Sequence, residues 1–325
     1  MPYIPLPVRE TELSRKIAAA GLHRSHQGKV RDSYSLDEPG LRLIVTTDRI
    51  STDDIVWSVL IPGKGKVLNN MSAFWFNGPL SGTPNHFVAT GADVDEHLPG
   101  ALRGDEDLHS RSMIVKEYHT VQPFEAVVRN YLTGSGWRTY RDEHKMPCDH
   151  PFINGLYDGI RLPRPLFTPT TKSDVHDQPI PIDQFRRQFG ATAERLSLDV
   201  FKIASKHAER RRIIIADTKM EWAVVNGALI LVDEVFTPDS SRFWRFAAWQ
   251  EAEAEKRSPA GMDKEKMRVV GRDIPTPAGK GLGSLDLIDP VHQKWMDEEM
   301  AAHVPQDSIA ETSATYEEIG QLIMS

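Results

Sequence analysis

Residues 213–236, IIIADTKMEWAVVNGALILVDEVF, hold two β-rich runs on either side of Asn226-Gly227. An Asn-Gly pair flanked by strand formers predicts a two-residue β-hairpin, because a type I′ turn needs positive φ at both central positions and these residue types tolerate it. The pair commits this part of the chain to antiparallel pairing. Short β-rich runs at 29–34, 41–46, 86–89 and 112–117, separated by Gly, Pro, Asp and Asn, extend the pattern to an antiparallel sheet upstream. Leu13, Ile17 and Ala20 fall at helical spacing and predict a short helix over 11–20, stopped at Gly21. The aromatic stretch NNMSAFWF, 69–76, lacks alternation and predicts a helix after a Gly63–Gly65 turn, and 182–212 carries a near-3.6-residue apolar period that predicts one or two helices. The character changes between Gln122 and Pro123, which puts a lobe boundary near 120. Beyond Trp249, EAEAEKRSPAGMDKEKMR is charged and poor in apolar residues, and predicts a mobile connection to C-terminal helices after 286.

Several function classes are disfavoured at once. The chain has 325 residues with 39 basic against 46 acidic side chains, a net charge of −7, which argues against coating a nucleic acid. The single cysteine, Cys148, precludes an intramolecular disulfide framework and a Cys-based zinc site, which fits a reducing cytoplasm. No apolar run approaches the roughly 18 residues needed to cross a bilayer. The N-terminal MPYIPLPVRETELSRKIAAAGL interrupts itself with prolines and early charges where a signal peptide needs an unbroken apolar stretch. The partners expected are small molecules, with neither nucleic acid nor membrane among them.

The hairpin carries acidic groups on both arms: Asp217 and Glu221 before the turn, Asp233 and Glu234 after it. Strand alternation puts Asp217, Lys219 and Glu221 on one face, and residues opposite each other across a hairpin lie about 5 Å apart. Such a set reads either as a site for a divalent cation or phosphate, or as a solvated face with ordinary ion pairs. Gly28-Lys29-Val30-Arg31-Asp32 places two cations on one side of an extended strand beside a glycine, which suits a polyphosphate or a plain surface strand. Arg129 to Gly136, RNYLTGSG, offers a guanidinium, two hydroxyls and backbone amides at a glycine turn. That is a phosphate nest, or a loop whose Ser and Thr only cap a helix. Gly63-Lys64-Gly65-Lys66 reads as a flexible basic loop closing on an anion, or as a solvated turn. Neither a Walker A nor a GxGxxG motif occurs. His176-Asp177 and the other histidines lack metal-ligand spacing, and Cys148 has no activating cation in sequence.

Together the segments GKVRDSY (28–34), TTDRIS (46–51), IPGKGKVLNNMSAFWF (61–76), FEAVVRNYLTGSGW (124–137), FTPTTK (167–172), ADTKMEW (216–222) and VDEVFTPDSSRFW (232–244) resemble the phosphoribosylaminoimidazole-succinocarboxamide synthase (SAICAR synthetase) family, in the family's order. The chain departs from the family at 220–223, where MEWA replaces Phe-Glu-Phe-Gly, in a shortened SDVHDQPI at 173–180, and at 261–268.

The resemblance implies an α+β, two-lobed fold. An N-terminal antiparallel-sheet lobe over 1–120 would serve the ATP phosphates and adenine, an α/β lobe over 121–250 the ribonucleotide and magnesium, and 251–325 would be a connection and helices, with an ATP cleft between the lobes. It implies an amide-forming ligase of purine biosynthesis. ATP phosphorylates the carboxylate of carboxyaminoimidazole ribonucleotide, and L-aspartate displaces the phosphate. In this chain Lys29 and Arg31 resemble the family's grip on the ATP phosphates, and the backbone from Lys116 to Val121 its adenine hinge. Glu221 and Asp233 resemble the Mg²⁺ carboxylates, and Arg129 and Ser135 the ribonucleotide phosphate site. Lys219, Arg242 and Asp217 resemble the catalytic set, with Ser240 and Ser241 on the nucleotide side. Asp48, Ser51, Lys66, Asn69 and Ser72 lie in the segments associated with aspartate capture. A ligase or kinase of the same fold acting on another acceptor is the alternative, and a catalytically dead nucleotide-binding subunit is a third reading. The oligomeric state stays open.

Overall fold

In LRLIVT, Leu43 and Val45 project to one side of a strand and Ile44 to the other, and all three are buried. A sheet containing it must be covered on both faces. The structure, a computed structural model, describes residues 2–172 and 177–325. Contacts divide the chain into two units, one of Met1–Ala73, Phe87–Glu117 and Lys264–Gly320, the other of Phe74–His86, Tyr118–Asp263 and Gln321–Ser325. Among the described residues no helix is long and apolar enough to cross a membrane.

The first unit begins with helices α1 (Leu6–Arg9) and α2 (Glu12–Ala19), followed by strands β1 (Arg24–Gln27), β2 (Arg31–Ser35), β3 (Leu41–Thr46), β4 (Arg49–Thr52) and β5 (Ile55–Leu60). Helix α3 (Lys64–Asn77) as far as Ala73, β6 (Phe87–Thr90), α4 (Glu106–Arg111) and β7 (Ser112–Lys116) complete its N-terminal part. The antiparallel sheet runs β1-β2-β3-β7-β6, with β4 and β5 paired separately. Thr11 and Ser14 form a reciprocal capping box at the start of α2. Its Leu13 and Ile17 then bury against Leu43, Val45, Tyr34 and Ile114 on one sheet face. Ile44, Met113 and Val115 on the other face pack on Ala73 of α3.

The second unit holds β8 (Phe124–Tyr131), α5 (Gly134–Glu143), β9 (Arg161–Phe167), β10 (Thr170–Thr171), α6 (Ile182–Phe189) and α7 (Thr192–Arg210). After them come β11 (Ile213–Val225), β12 (Ala228–Val232), β13 (Ser241–Arg245) and α8 (Phe246–Ala254). The sheet runs β10-β8-β11-β12, with β13 pairing β11 and β9 pairing β8. The expected hairpin closes at Val225 opposite Ala228, with φ of 50° at Asn226 and 79° at Gly227. Helix α7 turns Ser197, Val200, Phe201 and Ala204 inward, and Trp222 of β11 donates its indole N–H to Ser197 Oγ at 3.0 Å. The run 182–212 is two helices because Gly190, at φ 77°, ends the first.

Two expectations about elements are corrected. The charged stretch after Trp249 is not a bare connection: it contains the end of α8 and the start of α9 (Glu265–Asp273), and Met262 and Met267 are buried. Its few apolar anchors are spaced widely among charges, so composition hides them. Helices α9, α10 (Pro290–Glu298) and α11 (Gln306–Met324) follow, and Met267, Trp295, Met296 and Met300 form one apolar cluster with Ile50, Ile55 and Trp57 of β4 and β5. Lys29 and Val30 are not strand residues either: Gly28 N–H donates to Arg31 O at 2.8 Å, making 28–31 the tight turn between β1 and β2. Gly28 is required there, since a Cβ would lie 2.7 Å from that same carbonyl oxygen.

Candidate active site

In the second unit, Asp217 near the middle of β11 has Arg129 of β8 as its register partner on one side and Arg242 of β13 on the other. Both guanidiniums reach the same oxygen: Arg129 Nη1 donates to Asp217 Oδ2 at 2.7 Å and Arg242 Nη1 at 2.5 Å. Arg129 and Asp217 are almost wholly buried. One buried carboxylate therefore faces two guanidiniums. Arg129 also donates from Nε to Thr168 Oγ1 at 3.0 Å and from Nη2 to Ser135 Oγ at 2.9 Å.

The glycines of TGSGW make this packing possible. Gly134 sits at φ 57°, and a Cβ there would lie 2.3 Å from the Arg242 guanidinium; one at Gly136 would lie 3.2 Å from Arg129 Cδ. The start of α5 is thus pressed against both arginines. Of the two hydroxyls expected in this nest only that of Ser135 joins Arg129, because Thr133 turns to Ser258 instead. Cys148 lies nearby, buried, its Sγ donating to Pro169 O at 3.4 Å, and burial pushes its thiol up to about 12.

Further along β11 the same face carries Lys219 and Glu221. Lys219 Nζ donates to Glu125 Oε1 at 2.8 Å, and Lys172 pairs with Glu221. Burial and the charge of Asp233 push the Glu221 carboxyl up to about 7, against the pull of Lys172 and Lys219. For Lys219 the carboxylates of Glu125, Glu221 and Asp233 outweigh desolvation and hold the ammonium above its usual range. Asp233, just past β12, takes the left-handed conformation at φ 66°. The Ser240 hydroxyl accepts from Thr237 N at 3.1 Å and its carbonyl from Lys219 N at 2.9 Å, whereas Ser241 Oγ bonds Thr218 Oγ1 at 2.7 Å. These two serines fasten the 237–241 turn to β11. Val121 makes a bridge with Ala223 beside a Gln122 N–H to Trp222 O bond of 2.7 Å, and its side chain stays exposed.

In the first unit, Lys29 at the turn tip pairs with Asp54 at 2.5 Å, Arg31 opens β2 and Lys116 ends β7 with its side chain exposed. The basic Gly63–Lys66 segment is no flexible loop. Its last three residues begin α3, Lys64 is fully buried with Nζ donating to Arg49 O at 2.9 Å, and a Cβ on Gly65 would lie 2.4 Å from Thr46 O. Asp48 Oδ1 accepts from Gly65 N at 2.8 Å and Arg111 Nη1 at 3.1 Å, and Lys66 pairs with Asp107 at 3.1 Å. Ser51 is buried in β4. Asn69 Nδ2 donates to Ser112 O at 3.1 Å, while Asn69 Oδ1 and Ser72 Oγ are buried with no hydrogen-bond partner among the described residues.

Comparisons with known proteins bear on the family. A sequence profile of the family described as SAICAR synthetase matches residues 24–278. The chain belongs to the SAICAR synthetase family. It is 37% identical over 311 residues to the phosphoribosylaminoimidazole-succinocarboxamide synthase of Thermodesulfovibrio yellowstonii, covering 94% of this chain and 96% of that one. With the synthase of Halorhodospira halophila it shares 38% over 305 residues, covering 92% and 93%. The solved SAICAR-synthase of Saccharomyces cerevisiae, complexed with SAICAR, superimposes with a TM-score of 0.75 at 30% identity, covering 98% of each chain. The two-lobed α+β fold is the SAICAR synthetase fold, and the activity is that of the family, an ATP-dependent ligation of L-aspartate in purine biosynthesis.

Sequence reasoning missed Glu125, Thr168 and Lys172 as members of the charged network. Glu125 was accessible to it, since it shares a face of β8 with Val127 and Arg129 by simple alternation. The reading of His176 and of the shortened loop around it falls largely on 173–176, outside the described residues.

Proposed function

We propose that this chain joins L-aspartate to carboxyaminoimidazole ribonucleotide through an acyl phosphate, with the ribonucleotide phosphate held by Arg129, Arg242 and Ser135. The observation that carries this reading is the convergence of Arg129 and Arg242 on a single oxygen of Asp217. A phosphate dianion at the start of α5 meets the two guanidiniums, the Ser135 hydroxyl and the amides of a helix N-terminus.

The remaining roles follow from chemistry and position. Lys29 and Arg31, at a glycine turn that lets backbone approach closely, suit the ATP phosphates, and the backbone from Lys116 to Val121 suits the adenine. Asp48, Ser51, Lys66, Asn69 and Ser72 suit aspartate; the buried Asn69 Oδ1 and Ser72 Oγ have hydrogen-bonding capacity that a polar ligand satisfies. Lys219 neutralises charge as the γ-phosphoryl approaches the acceptor carboxylate, and Asp217 keeps Arg242 aimed at the ribonucleotide phosphate.

Glu221 and Asp233 fit Mg²⁺. They are two hard oxygen donors close enough for one to raise the other's pKa, and this ion is commonly bound by one or two carboxylates with phosphates and water completing the shell. When bound, the ion lowers the repulsion between the ATP phosphates and an incoming carboxylate. Most of the catalysis by these residues is positioning of two anions that otherwise repel.

The test is Arg129→Ala in steady-state kinetics with each substrate varied. Loss of a charge-assisted contact confined to one substrate raises the KM for the ribonucleotide on the order of 10- to 100-fold and leaves that for ATP within about twofold. Equal losses for both substrates make Arg129 structural.

A further inference from the structure

Thr133 stands at the N-cap of α5 and does not cap it. Its backbone is extended, at φ −153° and ψ 174°, the conformation in which a threonine hydroxyl ordinarily accepts from the second or third helical N–H, yet that bond is absent. Thr133 Oγ1 instead lies 3.1 Å from Ser258 Oγ, and Ser258 Oγ donates to Asp158 Oδ1 at 2.8 Å. A serine hydroxyl has one proton, and this one is committed to the carboxylate, so Thr133 is the donor to Ser258. The relay runs Thr133 to Ser258 to Asp158.

Backbone contacts fix both ends of the relay. Gly159 N donates to Leu132 O at 2.8 Å and Leu132 N to Ile160 O at 3.0 Å, which ties Asp158 to the residue before Thr133. Ser258 rests against Gly159, where a Cβ would lie 2.8 Å from Ser258 Cα, and Trp249 Nε1 holds Gly159 O at 3.0 Å. None of these residues lies among the arginines; their common effect is to set where one hydroxyl points.

Within α5 the first helical bond is Trp137 N–H to Thr133 O, at 3.3 Å. The amides of Ser135 and Gly136, which a capping threonine would occupy, lie where Ser135 Oγ meets Arg129. We infer that Ser258, oriented by Asp158, is a positioning residue that draws the Thr133 hydroxyl off the start of α5 and so keeps these amides available to the substrate phosphate. The inference rests on the phosphate-site reading of Arg129 and Ser135.

The experiment compares the full-length Ser258→Ala and Thr133→Val/Ser258→Ala enzymes, with Arg129→Ala as reference, in steady-state assays with ribonucleotide, ATP and aspartate varied in turn. In Ser258→Ala the threonine swings back to cap the helix. The ribonucleotide KM then rises about fivefold, the size of a cap in competition with the ligand, while kcat and the ATP KM stay within about twofold. Valine has no hydroxyl to cap with, so the double variant brings that KM back down. A merely structural role for Ser258 gives no such rescue. An unchanged KM in Ser258→Ala, or the same rise in single and double variants, overturns the inference while a KM effect in Arg129→Ala leaves the phosphate site standing; no effect in Arg129→Ala removes both.

Discussion

Arg129 and Asp217 face each other in the β8–β11 register, with Nη1 2.7 Å from Oδ2. With Arg242 on the opposite flank, both guanidiniums bond the same Asp217 oxygen. Replacing Asp217 with Asn leaves a buried guanidinium without its counter-charge. Asp217→Asn loses about 3–5 kcal/mol of stability in urea denaturation, and inorganic phosphate restores more to the variant than it adds to the parent. A variant as stable as its parent contradicts this account of the pair.

Gly134 is tested separately. Its positive φ and the 2.3 Å approach of the Arg242 guanidinium leave no room for a methyl group. Gly134→Ala pushes Arg242 aside, and kcat/KM for the ribonucleotide falls on the order of 100-fold, the usual cost of a misplacement of about 1 Å. Circular dichroism unchanged from the parent, with the kinetic loss, separates this from unfolding.

Glu221→Gln and Asp233→Asn each remove one negative ligand with little change of volume. Each lowers turnover by orders of magnitude while the fold persists, and the half-saturating Mg²⁺ concentration rises. Turnover near that of the parent at limiting Mg²⁺ contradicts the metal assignment.

How far the site could be read in advance depended on whether a residue's role is local. Asn226-Gly227 and the alternation of Asp217, Lys219 and Glu221 are properties of one hairpin, so spacing was enough. Alternation over Lys29-Val30-Arg31 predicts one strand face for the two cations, but the neighbouring Gly28 starts a turn that takes Lys29 and Val30 out of the strand. Lys64 looked solvated beside two glycines, and it is buried because Gly65 lets α3 approach Thr46 closely. Met262 and Met267 were hidden in a charged run, and Ser258 matters only through a contact with Thr133 that is 125 residues away in sequence. Such pairings are set by tertiary packing, for which one chain carries no local signal.

Cys148 gives a pH-dependent check. Burial raises its pKa from 9.0 to about 12, so the folded protein holds the thiol proton more tightly than the unfolded chain does. Its contribution to stability is complete below pH 9 and declines as pH rises from there towards 12. At pH 8 the native protein does not react with an aromatic disulfide reagent over minutes, whereas in denaturant it releases one equivalent of thiolate at once. Rapid labelling of the native protein contradicts the burial.

The central claim is tested by ADP release from purified enzyme with carboxyaminoimidazole ribonucleotide and L-aspartate supplied together and singly, with mass analysis of the product. The account predicts sustained release only when both are present, a product weighing ribonucleotide plus aspartate less water, and little turnover when L-glutamate replaces aspartate. ADP release independent of both, or turnover supported by another carboxylic acid without that product, contradicts it and makes the chain a ligase or kinase for a different acceptor.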